Sequence, residues 1–433
     1  MSLDVGQPLP TELPAVEEAA RMPSGFLAAA AAVGIKTSGR PDLGLLTTVG
    51  RLASAAATFT TNSMRAAPVR LSENHLLAGE PGGAGRWGRA AAVLSTSGCA
   101  NAATGRAGEE DQAALAGMLA DRLHIEPQQT LAISTGLIGT RLPVERLAAA
   151  LPGLVGNLSN GDQALAALAE QMCTTDSRPK WATTSLELLD AYGRPKTVTV
   201  SGIAKGVGMI HPRMATMLAL ILTDARVDAD VLHGMLNAAV ARTWNQLTVD
   251  GDTSTNDTVF LLASGASGAT SPTVASPEAS QLGRAVIAVA RSLARQQAAD
   301  GEGATTLITC QVSGAEDDRR ARAVARSVVA SSLVKACVHG RDPNWGRIVA
   351  AAGNATVDGR PVGLDEARVA VAMAGVTVFE GEPVPFDKAA LSRLMTAPEL
   401  LIRVDVGGGS GTGEAFGCDL TEQYVIENSA YST

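Results

Sequence analysis

Aromatic residues are scarce: Phe, Trp and Tyr make up 3% of the 433 residues. Base stacking and aromatic-lined carbohydrate clefts therefore have little to build on. Positive charge is in deficit, with 35 Lys and Arg against 43 Asp and Glu and a formal net charge of −8. No basic cluster overrides that sign, which argues against a nucleic-acid partner, since phosphate binding needs concentrated Lys and Arg. The five cysteines (Cys99, Cys173, Cys310, Cys337, Cys418) are scattered and form no CxxC pair. Neither a zinc site nor a disulfide framework is indicated, and free buried thiols in a reducing compartment are expected. No apolar run reaches the roughly 18 residues of a membrane span. Glu12, Glu17 and Glu18 stand where a signal peptide would be basic. The expectation is a soluble, cytoplasmic protein with no membrane or nucleic-acid partner.

Hydrophobic residues make up 46% of the chain, enough to bury a sizeable core in two or three domains. The first 24 residues are polar and Pro-rich and read as an irregular lead-in. Helical spacing predicts helices over 109–123, 162–172 and 277–298, and one from 317 to 329. Strands are expected at 45–49, 57–61, 197–200, 307–312, 368–379 and 401–406, with a buried element at 217–222. The Gly/Pro-rich segment 79–85 reads as a surface loop, and the glycine run 407–413 as a flexible loop. Strands and helices intermix along the whole chain, so the class is α/β or α+β.

The most informative stretch is Gly202-Ile203-Ala204-Lys205-Gly206-Val207-Gly208-Met209-Ile210-His211-Pro212-Arg213-Met214-Ala215-Thr216-Met217-Leu218. A phosphate-binding loop would need Lys after its glycines and a Ser or Thr directly following. Here Lys205 precedes its glycines, so composition alone gives a structural turn. The segment resembles the signature of the ornithine acetyltransferase (glutamate N-acetyltransferase) family. The resemblance continues in order along the chain: Gly34 to Leu43, Ala100 to Gly105, Ser134 to Gly139, Thr174 to Lys180, Asp250 to Asp257, Asp300 to Gly303, Asp342 to Arg347, and Gly417 to the end.

The resemblance implies a chain that cuts itself between Ala215 and Thr216, giving subunits 1–215 and 216–433. They would stay interlocked and assemble to α2β2 or larger. It implies an N-terminal-nucleophile-like α/β fold: a layered sandwich of two sheets flanked by helices over 25–315, and a smaller C-terminal α/β domain over 316–433. The implied reaction moves acetyl from N2-acetylornithine to glutamate, with no cofactor or metal; acetyl-CoA is a further donor in some members. Thr216 is the implied nucleophile and Thr135 (hydroxyl) with Gly136 (backbone N–H) the implied oxyanion donors. Thr174, Lys205, Thr216, Glu302, Asn428 and Thr433 are the implied substrate contacts.

Chemistry supports that assignment of Thr216. A threonine hydroxyl needs a base, and at a free N-terminus its own α-amine, with a pKa of about 7.7–8.0, can serve. Before cleavage the same nitrogen is an amide and cannot. His211 is expected to be structural, and Trp345 either to line the site or to pack beside a turn. Arg213 stands where Asn is usual in arginine-pathway members, and 94–99 lacks the family's asparagines; both departures bear on substrate identity and leave room for a specialised-metabolism paralogue. Two rival readings are a self-cleaving threonine amidohydrolase or aminopeptidase, and a non-catalytic ligand-binding paralogue.

Overall fold

A computed structural model of the chain describes residues 13–211 and 217–430. In chain order the strands begin with β1 (Phe26–Ala31), β2 (Leu43–Thr48), β3 (Ala53–Phe59), β4 (Trp87–Ala90), β5 (Ala92–Cys99) and β6 (Thr130–Leu137). Next come β7 (Lys180–Leu189), β8 (Pro195–Lys205), β9 (Leu218–Thr223), β10 (Leu247–Thr248), β11 (Thr258–Ala263) and β12 (Leu307–Ala315). The last are β13 (Thr356–Val357), β14 (Arg360–Pro361), β15 (Ala370–Met373), β16 (Val376–Glu380), β17 (Glu399–Asp405) and β18 (Gly411–Cys418). The helices used below are α1 (Ala67–Gly79), α2 (Gly105–Leu123), α3 (Val144–Gly156), α4 (Asp162–Met172), α5 (Ala229–Arg242), α6 (Pro277–Ala299) and α7 (Asp318–Ala330). Three shorter helices, Ser332–His339, Trp345–Gly353 and Lys388–Leu394, precede the last, Glu422–Ala430.

Two sheets form the sandwich, a six-stranded one in the order β4-β3-β11-β9-β8-β7 and a four-stranded one in the order β1-β2-β5-β6. Ala57, Ile203, Leu220 and Phe260 on the inner face of the larger sheet pack with Phe26, Leu46 and Leu131 of the smaller, alongside Leu168 of α4. The opposite face of the larger sheet, with Val200, Ile221 and Leu261, is covered by Leu236 of α5 and by Val286 and Leu293 of α6. The outer face of the smaller sheet, with Leu43, Leu45 and Leu94, carries Leu115 and Leu119 of α2 and Leu147 and Leu151 of α3. The layering is therefore helix, sheet, sheet, helix. Because β9 is buried on both faces, Leu218 to Leu222 is a continuous apolar run, where a half-solvated strand would alternate.

A third sheet, β10-β18-β12-β17-β15-β16, has α7 against it and its own core of Ile308, Val324, Val328, Ile402 and Val404. Residue 315 ends β12, which lies inside this sheet between β18 and β17.

The expected helices are all present. Ser276 caps α6 by accepting from the Ala279 N–H at 3.1 Å, and Asp317 caps α7 by accepting from Arg320 at 2.8 Å. Three expectations need correction. The strand expected over 368–379 is a hairpin, folded at Ala374 (φ 47°) and Gly375 (φ 82°). The segment 79–85 is partly a 3-10 turn, Pro81–Gly83, and Gly83 is buried against the Trp87 ring. The glycine run is a loop only to Ser410, because Gly411 opens β18. A Cβ on Gly411 would stand 2.2 Å from the Asp317 carbonyl carbon, and one on Gly413 2.5 Å from the Arg322 nitrogen. Glycine is there to let α7 lie directly on the strand.

Candidate functional site

Four chain segments meet where β8 ends and β9 begins. Lys205 is the last residue of β8 and is buried. Its Nζ donates to Thr174 Oγ1 at 2.8 Å and to Thr135 Oγ1 at 3.3 Å, and stands 3.7 Å from Asp176 Oδ2. Accepting from Lys205 leaves the Thr135 hydroxyl its own hydrogen to donate. Thr135 and Gly136 lie just before the last residue of β6, where the parallel partner β5 is irregular at Gly98 and Cys99. Gly136 has φ 129°, and a Cβ there would lie 2.3 Å from the Gly98 carbonyl carbon. Both the dihedral and the close approach of the two strands require glycine.

Asp176 holds this corner together. Its carboxylate accepts from the Gly206 N–H at 2.8 Å, from Lys180 Nζ at 2.6 Å and from the Thr174 N–H at 3.1 Å. Burial opposes its ionisation, but Lys205, Lys180 and the Gly206 N–H outweigh burial and keep the carboxyl well below the usual carboxylate range. Lys180, fully buried, bridges Asp176 and Asp300, and Asp300 in turn accepts from Ser177. The loop after α4 is thereby tied to the loop after α6.

The second loop carries Glu302, whose Oε1 accepts from Thr175 Oγ1 at 2.9 Å and whose Oε2 accepts from Asn428 Nδ2 at 2.9 Å. Both donors are neutral, and among the described residues no cation lies within ion-pair distance of Glu302. A Cβ on Gly208 would meet Glu302 Oε2 at 2.3 Å, so that glycine makes room for the carboxylate. Just beyond it, Met209 takes φ 54°, and Asp250 accepts from the N–H groups of Met209 and Ile210.

These groups surround one cleft of ≈ 640 Å³, counting its open mouth. Thr135, Gly136, Thr174, Lys205, Glu302 and Asn428 all line it. Ala215, Thr216 and Thr433 lie outside the described residues. The neighbour of Thr216 is described: the Met217 N–H donates to Asp257 Oδ1 at 3.0 Å, and the Met217 carbonyl accepts from the Thr258 N–H at 3.1 Å. Asp176, Asn256 and Asp257 were not singled out from the sequence. The i,i+4 spacing of Asp176 and Lys180 in a Pro-containing loop was the available signal for the first, and the Asp250–Asp257 segment for the others.

His211 lies apart from this cleft, with Nδ1 3.3 Å from Thr248 Oγ1. Trp345 stacks on Phe379, with centroids 5.1 Å apart, in the third sheet's core. The five cysteines are free and buried, and burial pushes the Cys173 thiol up to about 11. Among the described residues no helix is long and apolar enough to cross a membrane.

The arrangement sets a buried cation able to meet a carboxylate and an anion able to meet an amine on the wall of one cleft, with the Thr135 hydroxyl and Gly136. It suits an amino-acid-sized ligand. A model of the ArgJ family matches residues 27–433. The arginine biosynthesis bifunctional protein ArgJ of Thermosynechococcus vestitus is 44% identical over 427 residues, covering 94% of this chain and 96% of that protein. The Thermus thermophilus protein of the same name is 43% identical over 416 residues, covering 96% of this chain and 100% of the relative. Among solved structures, ArgJ from Bacillus halodurans is 39% identical with a TM-score of 0.46, over 48% of this chain and 96% of that one. Ornithine acetyltransferase from Mycobacterium tuberculosis, in complex with ornithine, is 34% identical with a TM-score of 0.39, over 46% and 98%.

Proposed function

Because this chain belongs to the ArgJ family, we infer that it is an acetyltransferase of arginine biosynthesis, and we propose N2-acetylornithine as donor and glutamate as acceptor. The observation that carries the reading is the convergence of Thr135, Gly136, Thr174, Lys205, Glu302 and Asn428 on one cleft. That cleft lies beside the start of β9, where Leu218 pairs with Lys205, two residues after Thr216.

In the proposed cycle the Thr216 hydroxyl first attacks the Ala215 carbonyl. The N-to-O shift gives an ester, and water hydrolyses it. The freed α-amine of Thr216 then serves as base. It takes the hydroxyl proton as Thr216 Oγ attacks the acetyl carbonyl, and passes that proton to the leaving ornithine amine. The oxyanion is met by the Thr135 O–H and the Gly136 N–H. Lys205 receives the α-carboxylate of donor or acceptor, and Glu302 the cationic end of ornithine. Glutamate takes the acetyl group and regenerates Thr216. No cofactor enters this scheme; acetyl-CoA is proposed as a second donor to the same hydroxyl. We further propose that the two products remain associated as an αβ unit in α2β2 or larger assemblies, and that the enzyme works in the cytoplasm.

Intact mass spectrometry tests the reading, before and after incubation with N-acetylornithine. Two fragments divided at Ala215–Thr216, with one acetyl group on the second, are expected. Glutamate should discharge that acetyl group as N-acetylglutamate, and acetyl-CoA in place of acetylornithine tests the second donor. Acetate release at the same rate with and without glutamate would assign the enzyme to hydrolysis instead.

A further inference from the structure

Asn256 and Asp257 stand side by side just before β11 and grip opposite halves of the site. Asn256 Nδ2 donates to the carbonyl of Ser134 at 2.9 Å and to that of Ala100 at 2.7 Å. Ser134 directly precedes Thr135. Asp257 Oδ1 accepts from the Met217 N–H, and Thr258 donates to the Met217 carbonyl. Met217 directly follows Thr216. Three consecutive residues thus tie the strand bearing the oxyanion donors to Met217, the residue that leads into β9.

From these contacts, and resting on the assignment of Thr216 above, we infer that Asn256 and Asp257 are a pair of positioning residues that set the distance between nucleophile and oxyanion donors. Met217, bonded directly to Thr216, is held at both of its peptide groups, through its N–H by Asp257 and through its carbonyl by Thr258.

Burial works against a charge on the clamp. Asp257 is fully buried, and its Oδ2 has no hydrogen-bond partner. A carboxylate oxygen in that position would be costly, and burial pushes the carboxyl well above its ordinary range. The Met217 N–H, the charge of Lys205 and the hydroxyls of Ser254 and Thr60 pull the other way without overcoming burial.

The test measures self-cleavage by mass and acetyl transfer by the cleaved pool in four variants. Asp257→Leu keeps the size and removes the acceptor. It should slow cleavage and lower kcat about 100-fold, the scale of a misplacement near 1 Å, with KM for acetylornithine within about threefold. Asp257→Asn keeps an oxygen acceptor of the same shape and should recover most of that loss. Asn256→Ala should lower kcat without raising KM, and the Asn256→Ala/Asp257→Leu double variant should be little worse than the poorer single one. Should Asp257→Leu fail to fold, the Asn256→Ala and Asp257→Asn arms still decide. Full kcat in Asn256→Ala, losses that appear in KM, additive losses in the double variant, or an Asn variant as poor as Leu would each overturn the inference. Absence of the Ala215–Thr216 cut in the unmodified protein would instead overturn the parent reading. Normal cutting and transfer with unaffected variants would remove this inference alone.

Discussion

Asp176→Asn removes one negative charge from between Lys180 and Lys205 while preserving shape. Lys180 keeps Asp300 as a partner, but among the described residues Lys205 is left with the hydroxyls of Thr174 and Thr135. At the 3.7 Å separation of Lys205 and Asp176, and an effective dielectric constant of about 20, the lost attraction is about 4 kcal/mol. Losing one partner of a buried pair costs about 3–5 kcal/mol by mutational experience, so the two routes agree. A chain of 433 residues unfolds with an entropy of about 0.9 kcal/mol/K, so Tm should fall by about 4 °C at neutral pH. The pH dependence is the sharper test. A carboxyl depressed on folding stabilises fully above its unfolded pKa of about 3.9, and that stabilisation is lost as pH falls through the folded value. Calorimetric Tm of wild type and variant should therefore differ most near pH 7 and converge as the pH drops below about 4. KM for acetylornithine should also rise, because Lys205 loses the charge that braces it. A Tm difference that is absent at pH 7, or as large at pH 3 as at pH 7, would refute the assignment of Asp176 as the counter-charge of this corner.

Other outcomes follow from the same geometry. Thr216→Ala should abolish both cleavage and transfer, while Thr216→Ser should keep a measurable part of each; mass spectrometry and a coupled transfer assay read both. Gly136→Ala drives a Cβ into the backbone of Gly98 and should lower kcat by about 10²–10³, the scale of one lost oxyanion donor. Glu302→Gln should raise KM for acetylornithine about 10–100-fold, since hydrogen bonds to charged groups contribute about 1.5–3 kcal/mol. It should leave N-acetyl amino acids without a cationic side chain little changed; equal losses on both would remove Glu302 from recognition of the side-chain amine.

Local signals carried far where they were regular. The spacing of Leu165, Leu168 and Met172 marked α4, and all three side chains are buried in the structure. The motifs flagged the cleft because its residues lie at the ends of strands and in loops, where glycine and polar residues break the hydrophobic pattern. Contacts between distant segments were not legible. Nothing near Gly411 signals that α7 will rest on it, so a glycine run that relieves packing reads like one that confers freedom. The hairpin at Ala374 and Gly375 has apolar residues on both arms and reads as one strand until the turn is seen. Asn256 and Asp257 act on residues 122 and 40 positions away, and their chemical types alone fit an ordinary polar turn.

The strand order of the larger sheet has a consequence for the life history of the molecule. Severed at residue 215, the chain would contribute β9 and β11 from one piece as a wedge between β3 and β8 of the other. Six residue pairs join β11 to β3 and six join β9 to β8, so parting the pieces means opening two interior seams at once. Such a joint is far easier to make from a single thread than from two loose ends. If the chain cuts itself there, the order of events is set: it would reach its final shape before the cut, and the cut shape would preserve a connectivity that no longer exists. The mature enzyme would be a folded state reached only through its precursor, durable because each piece is held in place by the other and hard to regain once the two are unravelled.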